Sequence, residues 1–348
     1  MALQTSGQIS LNDIHVEVGG TTGTEVSLND SDVRGLLGKA SGAQNAINEY
    51  YGASSNVDLD GVATPVVING QNSLQEITVS DYISSGGQLT IPTGWWIWSD
   101  NTSNAGMTID IPCTIVNNGY IIGRGGNGAG TIGYNGTAGG PAIRINSGVS
   151  GVTITNNTGA YIAGGGGGGG TQNSTAQRRG PGGGGAGGGT GGTGVKKGGT
   201  AHSTQSHSTG AVLNAAATQP SPVTSQTAQA GGVGSYVSEN SSGSETSGTS
   251  AGGGGRILPG ADCNPTTAYV TQWGGDGTGG AGGQAGAVGH RAGDATLGGG
   301  GGGWGAAGGN GSGGRSINGT GGAGGKGIEP TGNTYTLTNN GTIFGATT

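Results

Sequence analysis

Apolar residues crowd into the part of this chain before residue 164, and their spacing changes twice on the way. In "GQISLNDIHVEVGG", Ile9 and Leu11, then Ile14, Val16 and Val18, alternate with polar residues, and a period of two predicts a short half-buried strand. "LNDSDVRGLLGKA" has helical spacing, with Asn29, Asp30 or Ser31 as cap and Val33, Leu36 and Leu37 on one face. "SGAQNAINEYYG" predicts a second helix, capped by Ser41, with Ala43, Ala46, Ile47 and Tyr50 as its stripe and Gly52 as terminator. Helices this short are unstable alone, so residues 1–56 are expected to dock on another protein or on copies of themselves. From residue 57 to 163 the pattern is short β-branched runs broken by Gly, Asn and Pro turns, which predicts a β-rich neck. Trp95, Trp96 and Trp98 share one run, and alternation predicts two of them buried and one exposed, as core packing rather than a carbohydrate platform.

A repeat crosses these boundaries. "NNGYIIG" (117–123), "NNTGAYIAG" (156–164) and "NNGTIFG" (339–345) share an Asn pair, a glycine, an apolar pair and a closing glycine. The first two open into glycine tracts and the third follows the last tract. This placement predicts parallel strands acting as repeated rungs, with the glycine-rich segments as excursions from one scaffold.

Composition then changes the picture of those excursions. Glycine supplies 89 of the 348 residues and only 9% are charged, far from ordinary globular usage. Within the tracts, glycines fall three apart: 274 to 289, 182 to 194, 299 to 314, and a shorter set from 130 to 139. Period three is that of a polyproline II-type helix, so 274–289 is predicted to form one rod about 45–50 Å long. A glycine edge lets a second backbone approach and hydrogen-bond. The pure runs 164–170 and 298–303 then read as rods surrounded on all sides, and the Gly-X-Y runs as peripheral ones. Glycine is costly to order, so an isolated rod is unstable and the strands must hold the bundle in register. The resulting fold class is mainly β with little helix: a small α/β N-terminal anchor (1–56), a β-rich neck (57–163), a polyglycine II bundle with polar connectors (164–328) and a closing strand rung (329–348).

Charge and motifs mostly exclude functions. The net charge of −6 is uneven: −8 over residues 1–163 and +2 over 164–348. Neither half has the dense basic face of a nucleic-acid binder, and Arg178-Arg179 and Lys196-Lys197 read as solvated loop charge. Cys113 and Cys263 form no zinc motif or disulfide framework. The first twenty residues lack the regions of a signal peptide, and no stretch approaches the roughly 18 apolar residues a membrane helix needs. No phosphate loop, calcium repeat or paired-carboxylate glycosidase site is recognisable, so no enzyme activity, catalytic residue, cofactor or metal is expected.

Binding is expected in the connectors, chiefly 200–250, 256–273 and 290–297, because loops on a rigid scaffold usually carry recognition. Tyr236, Tyr269, Trp273 and Trp304 are candidates to stack on sugar rings or, alternatively, to cap the apolar ends of the bundle. His202 and His207, five apart in a polar loop, read as solvent-facing residues of the same surface rather than metal ligands.

Two resemblances join these readings. "SGQISLNDIHVEVGGTTGTEVSLNDSDVRGLLGKASGAQNAINEYYGAS" resembles an N-terminal module of bacteriophage tail-associated structural proteins, which implies virion anchoring through Ile9, Leu11, Val33, Leu36, Leu37, Ile47 and Tyr50. "NNGYIIGRGGNGAG" and "NNTGAYIAGGGGGGG" resemble glycine-rich phage tail-fibre proteins. The tracts and polar loops are similar in style to the tip adhesins of T-even-like phages, in which polyglycine II helices form a sandwich and distal loops bind the host receptor. The resemblance implies a virion protein made in the host bacterial cytoplasm. It also implies tail proteins and a host surface glycan or outer-membrane protein as partners, no membrane insertion, and a homotrimer. A structural tail-tip or fibre-shaft component without receptor contact is the alternative.

Overall fold

A computed structural model describes residues 3–37, 39, 42–68, 71–130, 135–173, 179–180, 182–192, 236–239, 245–248, 279–288, 296–311 and 319–348. Residues 3–55 contain helices and turns but no strand among the described residues, so the α/β expectation for the anchor is corrected. The segment predicted as a strand is helix α1 (Leu11–Glu17). Ser10 and Asp13 form a reciprocal capping box there, with Asp13 N–H donating to Ser10 Oγ at 3.2 Å and Ser10 N–H to Asp13 Oδ2 at 2.8 Å. Leu11, Ile14 and Val18 also fit helical spacing: Ile14 and Val18 are buried while Val16, which alternation would place beside them, is 45% exposed. Helix α2 (Ser31–Gly35) follows Asp30 as its N-cap residue. The second predicted helix is reduced to a single 3₁₀ turn, Ile47–Tyr50. Gly42 adopts φ +80 ahead of it, and Asn45 is turned aside to donate to Leu28 O and to the Tyr50 hydroxyl. The third helix, α3 (Leu59–Val62), is one turn capped by Asp58.

The β-scaffold winds. Its strands are β1 (Asn56–Asp58), β2 (Val66–Ile68), β3 (Gln71–Gln75), β4 (Ile77–Thr78), β5 (Gln88–Ile91) and β6 (Trp96–Trp98). Then come β7 (Met107–Ile109), β8 (Thr114–Asn117), β9 (Tyr120–Ile122), β10 (Ile143–Ile145), β11 (Val152–Asn156) and β12 (Tyr161–Ala163). Five short strands follow within the connectors: β13 (Gln172–Asn173), β14 (Arg179–Gly180), β15 (Tyr236–Glu239), β16 (Glu245–Gly248) and β17 (Thr296–Leu297). The chain then returns through β18 (Ile328–Glu329), β19 (Tyr335–Asn339) and β20 (Thr342–Phe344). Three sheets, ordered β2-β3-β6-β9-β12-β20, β4-β7-β10-β18 and β1-β5-β8-β11-β19, enclose one apolar core. Every pairing in them is parallel except β2 with β3. Successive strands visit the sheets in turn, so each circuit stacks on the one before.

Matched side chains stack as well. Ile97, Ile121 and Ile162 align inside the core, and partly buried Ile343 continues the row against it. Asn117 and Asn156 are fully buried, with Asn117 Nδ2 donating to Asn156 Oδ1 and Asn156 Nδ2 to Asn339 Oδ1, both at 2.8 Å. The Asn residues shared by the three sequence repeats thus bond in a ladder, with Asn117 and Asn156 inside, where an unpaired amide is costly, and Asn339 at its exposed end. All three tryptophans of the Trp95–Trp98 run are buried, at 3%, 5% and 2% exposure for Trp95, Trp96 and Trp98, which corrects the alternating expectation. The physical reason is that the run is covered on both faces. Trp95 packs in the scaffold core, and Trp96 and Trp98 lie outside it against Ala186 and Trp304 of the glycine-rich part.

That part leaves the scaffold at one kind of corner. Residues 123–142 separate β9 from β10 and residues 164–327 separate β12 from β18, each bridging the same two sheets. Residues 164–170 lie at the centre. Gly165 and Gly168 donate to the carbonyls of Gly140 and Thr137, Gly166 and Gly169 to Ala186 and Gly183, and Gly167 and Gly170 to Ala306 and Gly309. Their carbonyls accept in the same rotation: Gly165 and Gly168 from Gly325 and Gly322, Gly166 and Gly169 from Gly126 and Ala129, Gly167 and Gly170 from Gly302 and Gly299. These bonds measure 2.7–2.9 Å. Six backbone segments therefore surround one, and each partner recurs every third residue. A Cβ built on any glycine from 164 to 170 would lie 1.9–2.3 Å from a neighbouring carbonyl oxygen, so no side chain fits anywhere along this run. At the rim one position in three is free: Thr320, Ala323 and Lys326 are exposed between buried glycines.

The long continuous rods are corrected. Each of the three longer tracts folds back on itself, at residues 186–188, 282–283 and 304–305. Gly187, Gly188, Gly283 and Gly305 take positive φ there (+95, +80, +76 and +66), a conformation that period-three spacing alone does not reveal. Residues 274–278 and 289 of the tract predicted as one rod lie outside the described residues.

Candidate functional site

The glycine bundle has two unlike ends. At the end next to the scaffold, the outer face of the β3-β6-β9-β12-β20 sheet carries a column of rings. Trp96 stacks on Tyr120 at 4.1 Å between centroids, Tyr120 on Tyr161 at 5.4 Å, and Tyr161 on Phe344 at 6.1 Å. Parallel in-register pairing places Trp96 beside Tyr120 and Tyr120 beside Tyr161, so the column follows from the register. The turns of the bundle rest on it. Trp304 meets Tyr161 edge-on at 6.2 Å and Phe344 at 6.0 Å, and Ala186 joins the same cluster. Gly283 closes over the Phe344 ring. Burial pulls the Arg124 guanidinium, in the segment leaving β9, down to about 10, with the Asp100 charge opposing the shift.

At the opposite end, β13 continues directly from residue 171, β14 precedes residue 182 and β17 precedes residue 298, so the connectors emerge away from the scaffold. They meet there. β13 pairs antiparallel with β14, β15 pairs antiparallel with both β16 and β17, and β14 lies against β15 and β17.

The sequence-predicted residues divide between these ends. Tyr236 opens β15 in register with Leu297 at the far end. Trp304 is only 1% exposed at the scaffold end, which fits the bundle-capping alternative rather than sugar stacking. Tyr269, Trp273, His202 and His207 lie outside the described residues. Of the residues assigned to anchoring, Ile9, Val33 and Tyr50 form the interior of the 3–55 module with Leu11, Leu36 and Leu37 packed against them, and Ile47 is 38% exposed. The Tyr50 hydroxyl donates to Val33 O at 3.2 Å. Sequence reasoning missed the ring column. Its signal was the aligned Tyr120 and Tyr161 in the repeats, three residues before the closing glycines of 117–123 and 156–164.

A family model for the phage tail fibre adhesin Gp38 matches residues 56–255, more than half of the chain. The chain belongs to the phage tail fibre adhesin Gp38 family. The match begins at Asn56, the first residue of β1. Membership makes this a tail fibre adhesin of the phage virion, and the mainly β architecture with few helices accords with it. Neither the curated proteins nor the solved structures gave a match. Among the described residues no helix is long and apolar enough to cross a membrane and no three metal-ligating side chains cluster.

Proposed function

We propose that this Gp38-family adhesin binds the host cell surface through the connectors at the far end of its glycine bundle, and that residues 1–56 attach it to other tail proteins. The bundle is read as polyglycine II, supported by the three-residue rotation of donors and acceptors around residues 164–170 and by the absence of room for any Cβ there. The β-scaffold, from its neck at 57–163 to the closing rung at 329–348, acts as its base. The observation that carries the reading is the polarity of the bundle. Three turns are packed against the ring column at one end, and β13 to β17 gather at the other, where a stiff backbone presents them.

Recognition on this reading is non-enzymatic and needs no cofactor. Its partner is a surface glycan or an outer-membrane protein, and several copies on the virion, as a homotrimer or on separate fibres, multiply weak contacts. Purified full-length protein is expected to compete with phage for adsorption, and a variant with residues 200–250 replaced by a short Gly-Ser link is expected to lose that competition while still joining the tail. Undiminished competition by the shortened protein would instead make the chain a tail-tip or shaft component. Chain shortening of host polysaccharide on incubation would overturn the non-enzymatic part.

A further inference from the structure

We propose that Trp304 fixes the register of the glycine bundle, holding its hairpins against slippage along their own axis. The proposal rests on the three-residue repeat of hydrogen bonds and not on receptor binding, so it stands or falls separately from the functional reading.

The problem it solves is inherent in the bundle. Partners recur every third residue, so a segment that slides by three residues, about 9 Å at 3.1 Å per residue, remakes the same kinds of hydrogen bond. Glycine phase does not resist such a slide, because it repeats with the same period. Apolar side chains fix register in ordinary sheets, and the central run 164–170 of this bundle has none. Some segments are tethered covalently: 123–130 begins at β9, 135–140 runs into β10, 164–171 begins at β12 and 319–327 runs into β18. The hairpins 182–192, 280–288 and 298–311 have no such tie to the scaffold.

Each of these hairpins turns at the scaffold end, but only the turn at 304–305 carries an aromatic side chain. Trp304 is 1% exposed and locked between Tyr161 and Phe344. A three-residue slide would pull it clear of both rings. The hairpin it anchors also braces the other two: Gly183 and Ala186 donate to Gly299 and Gly302, while Gly300 and Gly303 donate to Ala287 and Gln284. One side chain thus registers three hairpins. Its indole N–H has no acceptor, so the anchoring is packing, and a phenylalanine retains the ring contact without losing a hydrogen bond.

Disulfide trapping in the full chain, with Cys263 changed to Ser, tests this. Gly308 donates to Gly322 and Gly311 to Gly319, an antiparallel pairing that puts exposed Asn310 beside exposed Thr320 and Ala307 beside Ala323. Hydrogen-bonded neighbours stand about 5 Å apart, within the roughly 4.4–6.8 Å span of a disulfide. With Trp304 present, the 310/320 cysteine pair is expected to close at least tenfold faster than the off-register pairs 307/320 and 310/323. Trp304→Ala is expected to bring the three rates within about threefold of one another, and Trp304→Phe to restore the preference. A pair at 127 and 137, on two segments tied to the scaffold and joined in the native bundle by Asn127 N–H donating to Thr137 Oγ1 at 2.7 Å, monitors whether the rest of the bundle survives. If Trp304→Ala also opens that pair, Trp304→Leu replaces it, with an intermediate preference expected. Retention of the native 310/320 preference in either variant overturns the proposal.

Discussion

A single methyl group added at the centre of the bundle gives the sharpest test of its packing. In Gly168→Ala the new Cβ would stand 2.0 Å from Asn127 O and 2.3 Å from Asn127 C, both backbone atoms that cannot rotate away. Ordinary van der Waals contact begins near 3.4 Å, so segment 123–130 or the central run must move by more than 1 Å. The hydrogen bonds at stake are Gly168 N–H to Thr137 O (2.9 Å), Gly322 N–H to Gly168 O (2.7 Å), Gly126 N–H to Gly166 O (2.8 Å) and Ala129 N–H to Gly169 O (2.9 Å). Losing or stretching two to four of them, at about 1 kcal/mol net each and more where a buried group is left unpaired, costs about 2–5 kcal/mol. The reduced freedom of the unfolded chain returns only about 0.4–1 kcal/mol. The same substitution at Gly61, in α3 with nothing within 4 Å of where its methyl would stand, should be neutral or stabilising by up to about 1 kcal/mol. Hydrogen-exchange mass spectrometry over 123–142 and 164–170, together with denaturant unfolding followed by tryptophan fluorescence, measures both variants. Equal stability and unchanged protection in Gly168→Ala would refute a side-chain-free interior.

Other outcomes follow from individual residues. Replacing Asn156 with Leu removes both ladder bonds, leaving the buried Asn117 amide nitrogen only Tyr161 O to donate to and exposed Asn339 to water, so unfolding should become easier by about 1–3 kcal/mol, measured by thermal denaturation. Burial, with Asp110 adding to it, pushes the Cys113 thiol up to about 12, so Ellman's reagent at neutral pH should not modify Cys113 until the scaffold unfolds. Asp13 is held below its ordinary 3.8 by hydrogen bonds from Ser10, and Glu49 below its ordinary 4.5 by those from Lys39 and Ala46. Carboxylates with lowered values stabilise the fold above their unfolded values and lose that contribution as pH falls through the folded ones. Amide protection in residues 3–55 is therefore expected to drop below about pH 4, and protection unchanged down to pH 2 would contradict this.

Much of the architecture was written locally. The Asn-Asn repeats at 117, 156 and 339 recur because parallel strands place like residues side by side, and identical Asn side chains can satisfy one another only in that register. The glycine phase was legible for a similar reason: a backbone with three neighbours per turn excludes Cβ at fixed intervals, and a fully surrounded one excludes it everywhere. The pure run 164–170 thus declared its own central place. Other features were decided elsewhere in the fold. Whether "SLNDIHVEV" became strand or helix depended on a capping box and on which of Ile14, Val16 and Val18 found a core, since its apolar residues fit either period loosely. All of Trp95, Trp96 and Trp98 are buried because a distant segment covers the outer face of their strand, and no local alternation encodes that cover. Where the tracts fold back was equally hidden, because glycine adopts positive φ at no local cost. Tertiary contacts select Gly187, Gly283 and Gly305 as turns, where Trp304 and its neighbours reach the ring column. Side-chain-free backbone specifies its spacing by itself, but its length and register only through what it is packed against.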